Sequence, residues 1–186
     1  MRLAIELANT LHARQGELRD ELQTPADLAA WLDRVGALLA VPVEGGSPLA
    51  VSRGDLAAAR DLRDAVRAVA AAASTGQAPD PEHVERLNAA VRAAPRWQEL
   101  VIDEMAPAAA TRHGTTAVPG ALAEVAADAV DLLSAGRIGA CAAPGCVLLF
   151  LRDRPNREWC GNACGNRARV ARHHDRHKQA TPQQGG

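Results

Sequence analysis

All four cysteines of the chain lie close together, at Cys141, Cys146, Cys160 and Cys164, and this clustering constrains the fold more than any other feature. Their spacing is C-x4-C, then thirteen residues, then C-x3-C. Two close pairs separated by a loop suit a tetrahedral zinc site in which each pair supplies two thiolates. Pro144-Gly145 would let the first pair turn sharply, and a helix beginning near Cys160 would place the second pair on one face. We therefore predict one structural Zn²⁺ with four cysteine ligands.

Three alternatives to this site are weaker. The cysteines could be buried thiols without a metal, although turn residues lie between the members of each pair. A catalytic zinc needs an open coordination position, which four thiolates do not leave. His173, His174 and His177 could be ligands, but they follow Cys164 by nine or more residues. We interpret the histidines as part of a basic helix.

The remaining composition favours helices. Hydrophobic residues make up 47% of the 186 residues, yet there is no Tyr, one Phe and three Trp. Ala, Leu and Val must fill the core, and small side chains suit closely packed helices better than a β-sandwich. We predict a mostly α fold: a helical N-terminal domain with a short strand or hairpin, and a small C-terminal zinc-ribbon-like module that ends in a basic helix. The predicted parts are 1–136, 137–178 and a disordered polar tail over 179–186.

Capping residues and proline positions predict the helices of the N-terminal part. The predicted starts are Thr24-Pro25, Ser52 with Asp55, Asp80-Pro81 and Pro119, and Gly136 is the expected C-cap of the last helix. Charged residues of the second helix, among them Arg60, Arg63 and Arg67, are expected to form a solvated face.

Three other segments of the N-terminal part are predicted to be non-helical or buried. Residues 1–9 are interpreted as a short strand or a buried first segment, because Leu3, Ile5 and Leu7 alternate with other residues. Residues 41–48 are predicted to be a loop. Residues 100–102 are predicted to be a strand that pairs with part of 108–118.

Charge is divided unevenly along the chain. Residues 152–178 contain eight Arg and Lys against three Asp and Glu, a net charge of +5, whereas residues 1–151 carry a net charge of −6. A basic helix anchored by zinc fits nucleic-acid binding, because phosphates attract cations and Arg can also pair with guanine. The alternatives are a solubilising tail and a surface that binds the acidic N-terminal part. The candidate nucleic-acid contacts are Arg154, Arg157, Arg167, Arg169, Arg172, Arg176 and Lys178.

No catalytic constellation is evident in residues 1–136. We find no phosphate-binding glycine loop, nucleophile elbow or His-x-x-x-His pair, and we predict that the protein is not an enzyme. Asn9, Thr10, His12 and Trp31 could line a ligand pocket, or could cap and satisfy the backbone. We favour the structural role.

Several motifs resemble a known family. The pattern "CAAPGC…F…DR…R…WC…CGNRARVARHH" resembles the zinc finger of bacterial CGNR proteins, named for the run matched here by Cys164-Gly165-Asn166-Arg167. "LAIELANT" and "TPADLAAWLDRVG" resemble the N-terminal ABATE domain that accompanies this finger. The resemblance covers nearly the whole chain. Glu158 is a departure, since members commonly carry arginines before the Trp-Cys pair.

The resemblance implies a function. Members of the family are described as stress-related transcription regulators, with four cysteines that bind zinc and an inferred role in DNA binding. We therefore expect a cytoplasmic, zinc-containing regulator whose finger binds DNA and whose N-terminal domain senses an unknown small molecule or forms a homodimer. The sequence suggests no membrane segment. The alternative is a protein–protein interaction module in which zinc is purely structural.

Overall fold

The computed structural model describes residues 2–14, 16–40 and 49–180, and it confirms the mostly α prediction. The helices are α1 (Leu3–Ala8), α2 (Pro25–Val35), α3 (Arg53–Ser74), α4 (Pro81–Arg92), α5 (Ala117–Ser134) and α6 (Asn162–Ala180), with a short 3₁₀ helix over Gly36–Leu38. The strands are β1 (Leu11–Arg14), β2 (Glu17–Asp20), β3 (Arg96–Asp103), β4 (Ala106–His113), β5 (Ile138–Ala140) and β6 (Leu149–Leu151). We call the described residues up to 136 the body, and residues 137–180 the cysteine module.

Side chains cap three of the helices at the predicted positions. Thr24 and Ser52 each form a capping box, with Asp27 and Asp55 respectively. The Asp80 carboxylate accepts a hydrogen bond from the N–H of Glu82 at the start of α4. These bonds satisfy amides that have no partner within the helix.

The body core lies between α1, α3 and α5, with α2 and α4 packed against it. Its filling is almost wholly Leu, Val and Ala, as the composition requires, and Trp31 of α2 is the largest side chain in it. Two residues of the cysteine module, Ile138 and Leu149, belong to the same core. The module therefore packs directly on the body. None of the described helices combines the length and hydropathy that a membrane crossing requires.

The first segment is a helix, so the interpretation of residues 1–9 as a strand is wrong, although the segment is buried as expected. In α1 the residues Leu3, Ala4, Ile5, Leu7 and Ala8 are all buried. The alternation of large apolar residues was misleading because the alanines between them are buried too. The helix is held to α5 by the Asp128 carboxylate, which accepts from the Ala4 N–H at 3.0 Å and pairs with Arg2.

The predicted solvated face of α3 is only partly present: Arg53, Asp61 and Asp64 are exposed, but Arg60, Arg63 and Arg67 contact other segments. Arg63 is only 4% exposed, and its guanidinium contacts the carboxylates of Asp20 at 2.6 Å and Asp64 at 3.0 Å. Arg60 donates to the Leu22 carbonyl at 2.7 Å, and Arg67 donates to the carbonyls of neighbouring segments. These arginines flank the apolar stripe of α3 and are drawn into contacts with the segments that pack against it.

The predicted hairpin is present as β3 and β4, which pair in an antiparallel register with Arg96 opposite His113 and Asp103 opposite Ala106. The last helix of the body begins at Ala117, two residues before the predicted start at Pro119. It ends as predicted near Gly136, which has φ of +64°. Such a conformation favours glycine, which has no Cβ to clash.

Two predicted irregular segments fall wholly or partly outside the described residues. The loop predicted over 41–48 lies outside them. Helix α6 includes Gln179 and Ala180, so the predicted start of the tail at 179 is two residues too early. The rest of that tail, 181–186, lies outside the described residues.

Candidate metal centre and basic surface

The four cysteine sulfurs converge on one point between the two ends of the cysteine module. All four Sγ atoms lie within 4.8 Å of one another. The Sγ atom of Cys160 is 3.8 Å from that of Cys146 and 3.4 Å from that of Cys164. Tetrahedral coordination with bonds of about 2.3 Å places sulfurs at about this separation. The donor set therefore fits a four-coordinate zinc ion.

Local backbone geometry produces this convergence. Between the first two cysteines the chain reverses at Gly145, with φ of +69°, and the Cys146 N–H donates to the Ala143 carbonyl at 3.0 Å. Strand β5 leads into Cys141 and strand β6 follows Cys146, and the two strands pair antiparallel. The second pair of cysteines is held alongside by the Ala142 N–H, which donates to the Glu158 carbonyl at 3.0 Å.

The electrostatics of the cluster call for a cation. Burial raises the pKa of the Cys146 thiol and that of the Cys160 thiol, and neighbouring thiols raise both further. Burial also acts on Cys141, but hydrogen bonds from the Cys160 and Ala143 amides and from the Cys146 and Cys160 thiols together outweigh it and lower the pKa of Cys141. Protein groups alone thus favour one thiolate and oppose several. A bound divalent cation removes that conflict, because a coordinating thiol is deprotonated.

Two donors outside the cysteine side chains support thiolate character. The Cys160 N–H points to the Cys141 Sγ atom at 3.4 Å. The Arg167 guanidinium donates to the Cys164 Sγ atom at 3.1 Å. Because four thiolates around Zn²⁺ leave a net charge of −2, a guanidinium at this position offsets part of the excess charge.

The module has little apolar core of its own. The second buried cluster of the protein contains Ala143, Cys164 and Ala168, with Trp159 packed against it. So small a cluster cannot order the segment by burial alone, and metal coordination must supply much of its stability.

Polar contacts fix the module to the body. The Asn9 side-chain amide donates to the Leu149 carbonyl at 3.0 Å, and its oxygen accepts from the Leu149 N–H at 2.9 Å. Arg67 donates to the Val147 carbonyl at 2.9 Å and to the Ala8 carbonyl at 2.9 Å. Strand β5 is held to the end of α3 by the Ser74 hydroxyl, which accepts from the Ala140 N–H at 3.1 Å. We call these contacts the docking interface.

The other residues proposed for a ligand pocket have separate environments. The Thr10 hydroxyl donates to the Leu7 carbonyl at 2.7 Å, and His12 in β1 lies 3.5 Å from the Glu21 carboxylate. Trp31 is in the body core, where its Nε1 atom has no hydrogen-bond partner among the described residues. Sequence reasoning missed the docking roles of Arg67 and Ser74. The position of Arg67 next to Val66 of the apolar stripe was the available signal.

The structure divides the candidate nucleic-acid contacts into two groups. Arg157 is directed inward: it donates to the carbonyls of Trp159 and Cys160, pairs with Asp153, and its guanidinium lies 5.0 Å from the centre of the Phe150 ring. Arg167 donates a hydrogen bond to the Cys164 Sγ atom. The side chain of Lys178 lies outside the description. The outward group is Arg154, Arg169, Arg172 and Arg176, all of them exposed.

Helix α6 presents three of these four arginines. Beyond Ala168, its last buried described residue, the helix is exposed or half-buried, and Val170 is 56% exposed. Arg169, Arg172 and Arg176 lie at i, i+3 and i+7 and therefore share one face. The Arg172 guanidinium lies 5.8 Å from the centre of the Trp159 ring. This cation–π contact orients the Arg172 side chain.

Comparison with known proteins covers almost the whole chain. Residues 1–136 match the family model of the ABATE domain, whose description reads "Putative stress-induced transcription regulator". Residues 137–177 match that of the CGNR zinc finger. No curated protein matches the chain. Neither family description names an enzymatic activity.

Proposed function

The chain belongs to the ABATE family and carries a CGNR zinc finger with one structural Zn²⁺ site, and we propose that it is a transcription regulator whose zinc finger binds DNA. The proposal places the protein in the cytoplasm, where the chromosome of a bacterium lies. Zinc in this account orders the module and takes no part in a reaction.

The main support for the proposal is a face of exposed arginines on α6, a helix whose first turn is fixed by the four-cysteine site. Arg169, Arg172 and Arg176 line this face of α6. Cys164, a zinc ligand, lies in the first turn of the same helix. A metal site that fixes the base of a helix fixes the direction of its cations, which lowers the entropy lost on binding a charged surface. Phosphates of duplex DNA are the partner that such a face suits.

The acidic body strengthens the assignment of the basic surface to a separate polyanion. Most of its exposed arginines pair with body carboxylates, as in Arg86 with Glu82 and Arg112 with Glu99. Among the residues whose side chains the structure describes, no carboxylate forms an ion pair with Arg169, Arg172 or Arg176, and Arg154 shares Asp153 with Arg157. They are therefore available for phosphates.

A charge-matched pair of variants tests the proposal. The binding variant is Arg169→Gln, Arg172→Gln and Arg176→Gln together, and the control variant is Arg53→Gln, Arg86→Gln and Arg92→Gln in the body. Retardation of a mixed-sequence duplex at low salt should be lost in the first, because three phosphate contacts are removed, and kept in the second. Equal binding by the two variants contradicts the proposal. Zinc content measured on each sample shows whether the module is intact.

The body has a role of its own in this proposal, namely to sense a ligand or to form a homodimer. The hairpin of β3 and β4 supports the second option, since Leu100 is 79% and Ile102 is 72% exposed. Sedimentation of the wild-type protein and of Leu100→Ser with Ile102→Ser tests it. A dimer that the substitutions dissociate supports the option, and a wild-type monomer over the micromolar range excludes it.

A second candidate function is a protein–protein interaction module. The hydrogen bonds that Arg157 and Arg167 make within the module favour it, because they give both cations a structural role. It predicts no DNA retardation even at low salt. It also predicts that a protein partner competes for the exposed face of α6.

A further inference from the structure

The cysteine module contains an open cleft of about 510 Å³ next to the zinc ligands. The cleft lies between the loop that follows β6 and the first two turns of α6. Its lining includes one acid, Asp153, and three cations, Arg154, Arg157 and Arg169. The side chains of Asn156, Trp159 and Asn162 and the backbone of Gly165 complete the concave surface.

The floor of the cleft is held rigid by Arg157. Its guanidinium donates to the carbonyls of Leu151, Trp159 and Cys160 and pairs with the Asp153 carboxylate at 3.2 Å. Hydrogen bonding to Arg157 lowers the pKa of Asp153, so this carboxylate stays ionised and its charge is balanced by Arg157. The loop is therefore shaped before any ligand arrives, and these two charges cancel.

The remaining cations leave a positive cleft. Arg154 is exposed and acts electrostatically on the neighbouring Asp153, whose carboxylate is already paired with Arg157. Arg169 contacts only the neutral side-chain oxygen of Asn166 among them. Three guanidiniums line the cleft against one carboxylate, and this excess of positive charge favours an anion there.

Gly165 sets the shape of the inner wall. A Cβ atom at this position would lie 3.1 Å from the Cε3 atom of Trp159, closer than ordinary contact. The glycine therefore lets the indole ring pack against α6 and form part of the cleft. An aromatic ring beside two guanidiniums suits a sugar-phosphate unit better than an isolated inorganic anion, because the sugar or base can pack on the ring.

We propose that this cleft binds one phosphate of the DNA backbone, with Arg154 and Arg169 supplying the charge and Trp159 contacting the adjoining nucleoside. The inference rests on the proposed DNA-binding function and assigns a specific contact to it. It assigns Arg154, which is not on α6, to the same phosphate as Arg169.

Tryptophan fluorescence can isolate the cleft. Trp31 is 2% exposed in the body core, and Trp97 is 46% exposed on the hairpin, so Trp97→Phe leaves Trp159 as the accessible reporter. In this background, zinc-loaded full-length protein is titrated with a duplex at several salt concentrations, with Arg154→Gln and Arg53→Gln as matched variants. Inorganic pyrophosphate is titrated separately and against the duplex.

The expected result is a saturable change of Trp159 emission on duplex addition. Arg154→Gln should weaken binding by about three- to tenfold at low salt and reduce the slope of log K against log salt by about 0.9, and Arg53→Gln should change neither. Pyrophosphate should displace the emission change only at far higher concentration.

Two results would overturn the cleft assignment while the DNA-binding function stands. One is duplex binding with unchanged Trp159 emission and identical slopes for the two variants. The other is a pyrophosphate signal that the duplex cannot compete away, which would mark a small-anion site. Failure of the wild-type protein to bind duplex at all would instead reject the proposed function and the cleft with it.

Discussion

The body and the cysteine module achieve order in opposite ways. The body buries a continuous core of Leu, Val and Ala, and it neutralises even its buried Arg63 with carboxylates of its own. The module has a three-residue core, a cluster of thiols and several exposed arginines. Apolar burial stabilises the body. The module, which exposes most of its arginines and buries few apolar residues, is stabilised by its metal site.

Loss of one zinc ligand should have the largest effect, and this effect should fall on the module and not on the body. Cys164→Ser removes a thiolate at the start of α6, and structural zinc sites supply about 10 kcal/mol or more of binding free energy. We expect the module to lose zinc and α6 to lose its helical structure, while the body keeps its own cooperative transition. Zinc content and thermal unfolding by circular dichroism measure the two effects. A variant that retains one zinc per chain would contradict the assignment of this ligand.

Removal of a carboxylate that serves Arg63 should have the next largest effect, and it should fall on the body. Asp20→Asn leaves a 4%-exposed guanidinium with Asp64 as its remaining acidic partner, and we expect a loss of about 2–3 kcal/mol in the free energy of unfolding at pH 7. Urea unfolding measures it. The control is Asp61→Asn, at an exposed acid of α3, the helix that carries Arg63. It should lower the free energy of unfolding by less than about 0.5 kcal/mol.

The same pair gives a pH dependence. Burial raises the pKa of Asp20, but the hydrogen bonds from Arg63 and the Leu22 amide, together with the charges of Arg63 and Arg60, outweigh it, so the pKa in the folded protein lies below the ordinary value of 3.8. The contribution to stability is therefore complete above the pKa of the unfolded chain and is lost as the pH falls through the folded value. The difference between wild type and Asp20→Asn should shrink below about pH 4. A difference that is constant down to pH 3 would exclude this linkage.

Within the module, Arg167 differs from the other arginines of α6 because it donates a hydrogen bond to a zinc ligand. Arg167→Gln removes the donor to the Cys164 Sγ atom, and such partners of metal ligands are worth about ten- to a hundredfold in metal affinity. Zinc transfer to a chromophoric chelator should therefore be faster by that order. Arg169→Gln, two residues along the same helix, should leave the transfer rate unchanged. Equal rates for the two variants would place Arg167 among the solvent-facing cations.

The smallest effect is expected where the two parts meet. Asn9→Ala removes both hydrogen bonds to Leu149, and we expect a loss of about 1–2 kcal/mol, since the Leu149 N–H and carbonyl lose their partner. Hydrogen exchange of the Leu149 amide should accelerate, whereas Asn88→Ala on α4 should not affect it. Unchanged exchange in Asn9→Ala would show that apolar packing of Ile138 and Leu149 alone holds the module.

The sequence predicted the features that depend on local chemistry. Capping at Thr24, Ser52 and Asp80, the β3–β4 hairpin and the zinc ligand set each follow from short-range rules on side-chain oxygens, turn residues and thiol spacing. The family resemblance also proved correct over the body and the finger.

The features that sequence reasoning missed depend on tertiary contacts. Arg63 and Arg67 occupy positions that an isolated helix would expose, and only the packing of β2, α1 and the segment before β6 around α3 gives them partners. The same holds for α1, whose alanines are buried because α3 and α5 cover both sides of it. The distinction between inward Arg157 and outward Arg154 likewise requires the loop conformation. Composition and periodicity carry no information on such contacts.

The salt dependence of duplex affinity, measured on protein of known zinc content, tests whether the metal-anchored module binds DNA through its outward arginines. If Arg154, Arg169, Arg172 and Arg176 each contact a phosphate, the slope of log K against log salt should be about −3.6. Removal of the zinc should abolish this binding. Absence of binding at low salt by protein that holds one zinc per chain would contradict the claim and leave the metal as the support of a protein-binding surface.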